Sequence, residues 1–390
     1  MLTTLAIANY RSLRSVIVPL TELNIVSGEN GTGKSNLYRT LRLLADAAQG
    51  NVIASLAREG GLPSTLWAGP ETVAASVKRG EHPVQGGPRR EPVSLRLGFA
   101  SDAFSYSIDL GMHSNPKNDP SMFALDPEIK RECIWSGPVF RPSSLLVDRR
   151  GPVVRTRDAH GEWRIIASSL ATFDSMLTQV LDAERAPEIL TVREQIRSWR
   201  FYDHLRTDAD SPIRQPQLGT RTPVLSHNGH DLAAALQTIR EIGDVGQLNQ
   251  AVADAFPGAS IDIGQVGNAF TVEFHQHGLL RPLSAAELSD GTLRYLLWIA
   301  ALLTPRPPQL MVLNEPETSL HPDLLPALAR LISAASQSTQ LWVVSHSARL
   351  LSALQQDGRC NAIQLSKDFG ETVVQEQGLL DRPSWHWPER

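Results

Sequence analysis

Residues 28–35 read GENGTGKS, and the fold turns on them. The apolar run LNIV (23–26) leads in, and Leu37, Leu41, Leu44 and Ala48 follow at helical spacing as far as Gly50. A strand, a glycine-rich turn ending in Gly-Lys-Ser and a helix form the context in which GxxxxGK[ST] makes a phosphate loop. The chemistry asks for these residue types. Glycines let backbone N–H groups turn inward around a β-phosphate, Lys34 adds a point charge at the β- and γ-phosphates, and the Ser35 hydroxyl can ligate Mg²⁺. A glycine-rich turn with an ordinary surface lysine is the bland alternative, and the flanking strand and helix weigh against it. The nucleotide site is read as Gly28, Glu29, Asn30, Gly31, Thr32, Gly33, Lys34, Ser35 and Asn36.

Working outward, residues 2–8 and 16–26 read as strands. Between 60 and 165, clusters of Gly, Pro and Arg separate short alternating runs such as VSLRLGFA and FSYSIDLGM, the pattern of antiparallel strands. Helical periodicity returns over 169–206 and from Asp231 to Phe256, and 258–278 reads as a hairpin. After Leu288 the pattern alternates: helix 292–303, strand 309–314, helix 322–335, strand 340–345, helix 347–356, then a strand pair over 361–376. Such alternation implies a parallel sheet. The expected class is α/β. Three parts are expected: 1–165 with the phosphate loop and antiparallel strands, 166–257 as a helical insertion, and 258–390 as the rest of the sheet.

Composition narrows the possibilities. With 42% apolar and 20% charged residues the 390-residue chain is ordinary globular material, not a disordered one. A formal charge of −4 gives no overall basic signature for nucleic acid, so any DNA contact needs a local patch or a dimer groove. Cys133 and Cys360 are the only cysteines, which argues against a disulfide framework or a zinc site. The start of the chain alternates polar and apolar residues instead of forming a signal core, and YLLWIAALL (295–303) is too short to span a bilayer. A soluble, cytoplasmic protein without a membrane partner is expected.

Three further segments follow the phosphate loop in order: LSDGTLRYL (288–296), QLMVLNEPETSLHP (309–322) and LWVVSHS (341–347). Singly, each has a duller reading. Ser289 and Asp290 are good helix N-cap residues, Pro316 punctuates a strand end, and a lone His346 is more often structural than catalytic. Co-ordered with the phosphate loop, they resemble the ABC-type ATPase head of the RecF/SMC superfamily. The likeness is greatest to the AAA-type predicted ATPases related to the ATPase part of OLD-family nucleases. The opening IANYRSLRS (7–15) is similar to that group's first strand and turn.

The resemblance implies a P-loop NTPase with a mixed β lobe, a parallel sheet flanked by helices and an inserted helical subdomain, using ATP and Mg²⁺. It implies a site shared between two protomers that dimerise on ATP. Ser289, Asp290 and Gly291 would form the signature acting in trans. Glu315 would polarise the attacking water, His346 would sense the γ-phosphate, and Arg11 would approach the phosphates from the first strand. It places no glutamine-loop residue; Gln85 is one candidate.

Asn314 departs from the pattern, which usually has aspartate before the catalytic glutamate. Its carbonyl can still accept a hydrogen bond from a metal-bound water, but one negative charge near the ion is gone. A modest fall in Mg²⁺ affinity and a slow ATPase are expected. The leading role is an ATP-gated switch in DNA repair or anti-phage defence. The alternative is a regulator of a protein effector without DNA contact, and a transporter motor fits poorly with the long interval before LSDGT. The stretch after His346 is too short for the nuclease domain of OLD-type relatives, so any cutting is expected from a nuclease in trans. Arginine clusters at Arg89–Arg90, at Arg149–Arg150 with Arg155 and Arg157, and from Arg193 to Arg200 are the candidate DNA contacts.

Overall fold

The computed structural model describes residues 1–70, 93–113, 122–123, 126–356, 358–378 and 381–389. The elements begin with β1 (Leu2–Tyr10), β2 (Leu13–Pro19), β3 (Leu23–Gly28), α1 (Lys34–Gln49), α2 (Val52–Arg58) and α3 (Leu62–Thr65). Six strands follow: β4 (Leu95–Ser101), β5 (Phe104–Gly111), β6 (Glu128–Ser136), β7 (Leu145–Arg150), β8 (Val153–Arg157) and β9 (Trp163–Ala167). Next come α4 (Met176–Gln179), α5 (Pro187–Arg197), β10 (Arg200–Tyr202), β11 (Gln217–Leu218), α6 (Leu232–Ile242) and α7 (Val245–Ala255). The remainder is β12 (Ser260–Val266), β13 (Ala269–His275), β14 (Leu283–Ser284), α8 (Asp290–Leu302), β15 (Leu310–Asn314) and α9 (Leu325–Ala335), then β16 (Gln340–Val344), α10 (Ala348–Gln355), β17 (Cys360–Asp368) and β18 (Glu371–Val374).

The chain divides into two compact units, one of Met1–Thr21, Ser27–Ser198 and Ile363–Arg390, the other of Glu22–Val26 and Trp199–Ala362. The stretch 166–257, read as one insertion, is shared between them at Ser198.

In the first unit an antiparallel sheet runs in the order β2-β1-β4-β5-β6-β7-β8-β9. Helix α1 buries Leu37, Leu41, Leu44 and Ala48, the stripe its spacing predicts, and ends at Gly50, whose φ of 77° needs no Cβ. Each such leucine contributes about 2 kcal/mol by leaving water. The sheet also carries buried charge. Arg149 and Glu132 are both fully buried and paired at 2.6 Å, and Glu132 accepts further from Tyr106 Oη (2.6 Å), Ser175 Oγ (2.6 Å) and Met176 N (2.8 Å). Asp148, also fully buried, accepts from Arg131 (2.8 Å), Arg155 (2.7 Å) and Arg150 (3.2 Å). Burial raises the Asp148 carboxyl, but the bonds from Arg155 and Arg131 outweigh it and hold the group below the ordinary carboxylate range.

The second unit is built on parallel strands in the order β10-β15-β16-β3. LMVL of β15 and LWVV of β16 are buried throughout, as strands covered on both faces must be. Helix α8 is apolar almost all round, and its residues from Tyr295 to Leu302 lie in the same core as Met311, Leu313, Leu341 and Val343. A smaller antiparallel sheet, β11-β13-β12 with β14, contains the hairpin expected at 258–278.

Three stretches differ from the expectation. The first, 169–206, read as helical throughout, holds only the short α4 and α5 and ends in the strand β10, paired with β15. The strand read over 16–26 is two strands, β2 ending at Pro19 and β3 starting at Leu23, and they belong to different sheets. The helix read from Asp231 to Phe256 breaks at Gly243, because Asp244 caps a new helix by accepting from Gln247 N at 2.9 Å. Among the described residues no helix is long and apolar enough to cross a membrane.

Candidate functional site

The phosphate loop leaves β3 at Gly28 (φ 146°) and passes Gly31 (φ 81°) and Gly33 (φ 107°). A Cβ at Gly28 would strike the Leu365 carbonyl, and one at Gly33 would strike the Thr372 hydroxyl, so only glycine closes the loop this tightly. Lys34 is 5% exposed, its Nζ donating to Gly28 O at 2.6 Å and Glu29 O at 2.7 Å. Thr32 Oγ1 donates to Glu29 O at 2.8 Å. Helix α1 starts with no side-chain cap and no acidic residue in its first turn, among the described residues. Its leading N–H groups and the exposed Ser35 hydroxyl therefore suit a phosphate and the metal bound to it.

Sequence reasoning missed the struts behind the loop. Asn36 Nδ2 donates to Ser12 Oγ (2.9 Å), Ser12 Oγ and Thr372 Oγ1 share a bond of 2.7 Å, and Thr372 Oγ1 lies 2.7 Å from Thr32 O. Ser12 sits in the turn of IANYRSLRS, a usable signal, whereas Thr372 lies far along the chain in an undistinguished strand. Arg11, in the same turn (φ 49°), bonds Glu59 through Nη2 (2.7 Å) and Nε (3.2 Å), so its guanidinium is held by a carboxylate of the same unit.

In the second unit β15 and β16 end side by side, Asn314 opposite Val344. The next residue, Glu315, takes a left-handed conformation (φ 49°) with its N–H bonded to Val344 O at 2.8 Å. Its Oε1 lies 3.3 Å from His346 Nε2, and both side chains are partly exposed. The structure thus brings the two catalytic candidates together. Asn314 is half-buried at the strand end, one residue before Glu315. Among the described residues no group of three His, Cys, Asp or Glu side chains is placed to hold a metal.

Ser289 caps α8, its Oγ accepting from Thr292 N at 3.2 Å, and Ser289 and Asp290 are exposed. A Cβ at Gly291 would come within 3.0 Å of Ser319 O, in the turn after Glu315. Arg214 was missed as well. Its guanidinium donates to Asp290 Oδ1 (2.6 Å), Leu288 O (2.8 Å) and Ala286 O (3.2 Å), as well as to Thr207 O (3.0 Å). It holds the start of α8 in place. The Pro-rich surroundings of Arg214 gave no hint of this.

Among the described residues, several of the arginines read as candidate DNA contacts pair within the chain. Arg149 is buried against Glu132, Arg150 and Arg155 meet Asp148, and Arg155 and Arg157 lie 4.6 and 4.8 Å from the Trp163 ring centroid. Arg193 and Arg197 both reach Glu194. Gln85, Arg89 and Arg90 lie outside the described residues.

No curated protein is a match for the chain. Among solved structures, an SmcHead bound to the C-winged helix domain of ScpA is similar at TM-score 0.48 and 13% identity, over 96% of each chain. The SMC head domain from Thermotoga maritima gives 0.44 and 12%, over 96% of this chain and 97% of that one. A Pyrococcus furiosus Smc head domain with an extended coiled coil, bound to the C-terminal domain of ScpA, gives 0.47 and 13%, over 96% and 95%. Likenesses of this size identify no activity. A family described as "AAA domain, putative AbiEii toxin, Type IV TA system" matches residues 23–352, from the strand before the phosphate loop to beyond His346. That span is most of the sequence, and the chain belongs to this AAA-domain family.

Proposed function

We propose that the chain is a slow ATPase of the ABC-head type that dimerises on ATP and works as a nucleotide-gated switch. The observation that carries this reading is the contact between Glu315 and His346, 3.3 Å apart at the ends of neighbouring parallel strands. In this reading Lys34 and the amides of the loop hold the β- and γ-phosphates. Ser35 and, through a water, Asn314 would hold Mg²⁺, which would neutralise charge on the phosphate oxygens. Glu315 accepts the proton of the attacking water, and His346 holds the γ-phosphate side of the site. Ser289 and Gly291 of a second copy offer a hydroxyl and a helix N-terminal amide to the same phosphate. Arg11 would join only by exchanging Glu59 for a phosphate.

Two outputs fit such a switch: action on DNA, in repair or in defence against phage, and control of a protein effector or a nuclease in trans. The engagement of Arg149, Arg150, Arg155 and Arg157 within the chain favours the second. The test is ATP turnover and mass in solution for wild type and Glu315→Gln, with DNA binding measured across salt concentrations with and without ATP. A chain that neither hydrolyses ATP nor changes mass with it overturns the switch. DNA affinity that rises with ATP and falls steeply with salt overturns the preference for a protein effector.

A further inference from the structure

Glu317 has no part in the reaction just described, yet it is tied to both of its side chains. Its Oε1 accepts from Ser345 Oγ (2.7 Å), His346 N (2.8 Å) and Ser347 N (3.1 Å). All three donors belong to the loop that carries His346. At the other end, the Glu317 backbone lies in the turn that follows Glu315. Thr318 N bonds Glu315 O at 3.0 Å, Leu320 N bonds Glu317 O at 3.0 Å, and Trp298 Nε1 of α8 takes Pro316 O at 3.0 Å. The turn is therefore pinned from within and from the signature helix. Glu317 Oε2 is buried with no hydrogen-bond partner.

The structure assigns Glu317 as a positioning residue: one carboxylate oxygen clamps the His346 loop and so sets the distance between His346 and Glu315. This rests on reading Glu315 as the proton acceptor and His346 as the residue at the γ-phosphate. The side chain spans two loops, so its length matters more than its charge. An amide oxygen at the same place accepts the same donors, whereas a carboxylate one methylene shorter does not reach them. Displacement of a catalytic group by about 1 Å costs on the order of a hundredfold in rate. Nucleotide affinity, set by the phosphate loop, is untouched.

The experiment measures kcat, KM and ATP affinity of the full chain with Mg²⁺ for Glu317→Gln and Glu317→Asp. The expected result is Glu317→Gln within about threefold of wild type and Glu317→Asp slower by at least about tenfold in kcat, with KM and ATP affinity within about twofold for both. A Gln variant as slow as the Asp variant overturns the proposal, because charge at Oε2, as for a metal ligand, would then be the requirement. Two variants that both match wild type overturn it as well. Loss of ATP binding in step with kcat also overturns it, since that marks a structural role. Turnover of Glu315→Gln at the wild-type rate would instead sink the reading of Glu315, whatever the Glu317 variants do.

Discussion

Arg214 donates to Asp290 Oδ1 at 2.6 Å and, with the same guanidinium, to Leu288 O at 2.8 Å, on either side of Ser289. A planar fork that satisfies a carbonyl and a carboxylate at once fixes the direction of the helix start, which a lysine cannot do. If Ser289 and Gly291 act on the γ-phosphate of a second copy, loosening this start weakens the dimer and not the binding of ATP to one chain. Arg214→Ala and Arg214→Lys should each keep ATP affinity within about twofold and weaken ATP-driven dimerisation by about tenfold. Sedimentation of both variants in a Glu315→Gln background is the check. Full-strength dimers in both would show that the fork does not serve the signature.

Lys34→Ala should lower ATP affinity by at least about a hundredfold, because a charge-assisted partner of the phosphates is lost from a buried position. Titration with a fluorescent ATP analogue reads this directly. Near-wild-type affinity would mean that the loop is only a turn.

The phosphate loop and the parallel strands were legible because their signals are local. Gly33, Lys34 and Ser35 stand consecutively, and the strands LMVL and LWVV announce two-sided burial by being wholly apolar. Glu315 and His346 were singled out through the family resemblance, and their contact at 3.3 Å was seen only in the fold. The supports were not legible. Thr372 braces Thr32 across 340 residues, Arg214 reaches Asp290 across 76, and Glu317 reaches His346 across 29, and no periodicity encodes such contacts. The partners of the arginine clusters within the chain were hidden for the same reason. In a sequence Arg149 and Arg150 look like one basic patch, but on a strand neighbours face opposite sides, and each found its own carboxylate.

Acid should reveal Asp148. Its carboxyl sits below the ordinary carboxylate range in the fold, so its charge stabilises the folded state above the unfolded pKa, and that contribution is lost as pH falls through the folded pKa. Asp148→Asn leaves Arg131 buried without its anion and should cost about 3 kcal/mol at neutral pH. In urea denaturation followed by tryptophan fluorescence, the gap between wild type and variant should stay level from about pH 8 to about pH 6 and shrink below about pH 4. A gap that is constant down to acid pH would mean that packing at this position, and not charge, sets its effect.

Asn314→Asp bears on how the metal is held. Asn314 ends β15 one residue before Glu315; if Mg²⁺ is held as proposed, a carboxylate there adds a negative charge near the ion while the amide offers only a carbonyl to a bound water. A contact made through water is weaker than a direct bond, so the effect should be modest: a fall of about threefold to tenfold in the Mg²⁺ concentration for half-maximal turnover, with kcat little changed. Glu315→Gln should bind ATP, fail to hydrolyse it and accumulate as dimers, because the proton acceptor is gone while the phosphate contacts remain. Measured together, the two variants separate the roles of adjacent residues. Turnover in wild type and in Asn314→Asp, with none in Glu315→Gln, makes Asn314 an outer ligand of a working ATPase. Turnover in Asn314→Asp alone would make the native chain a binder that holds ATP without consuming it, and the enzymatic reading would fall.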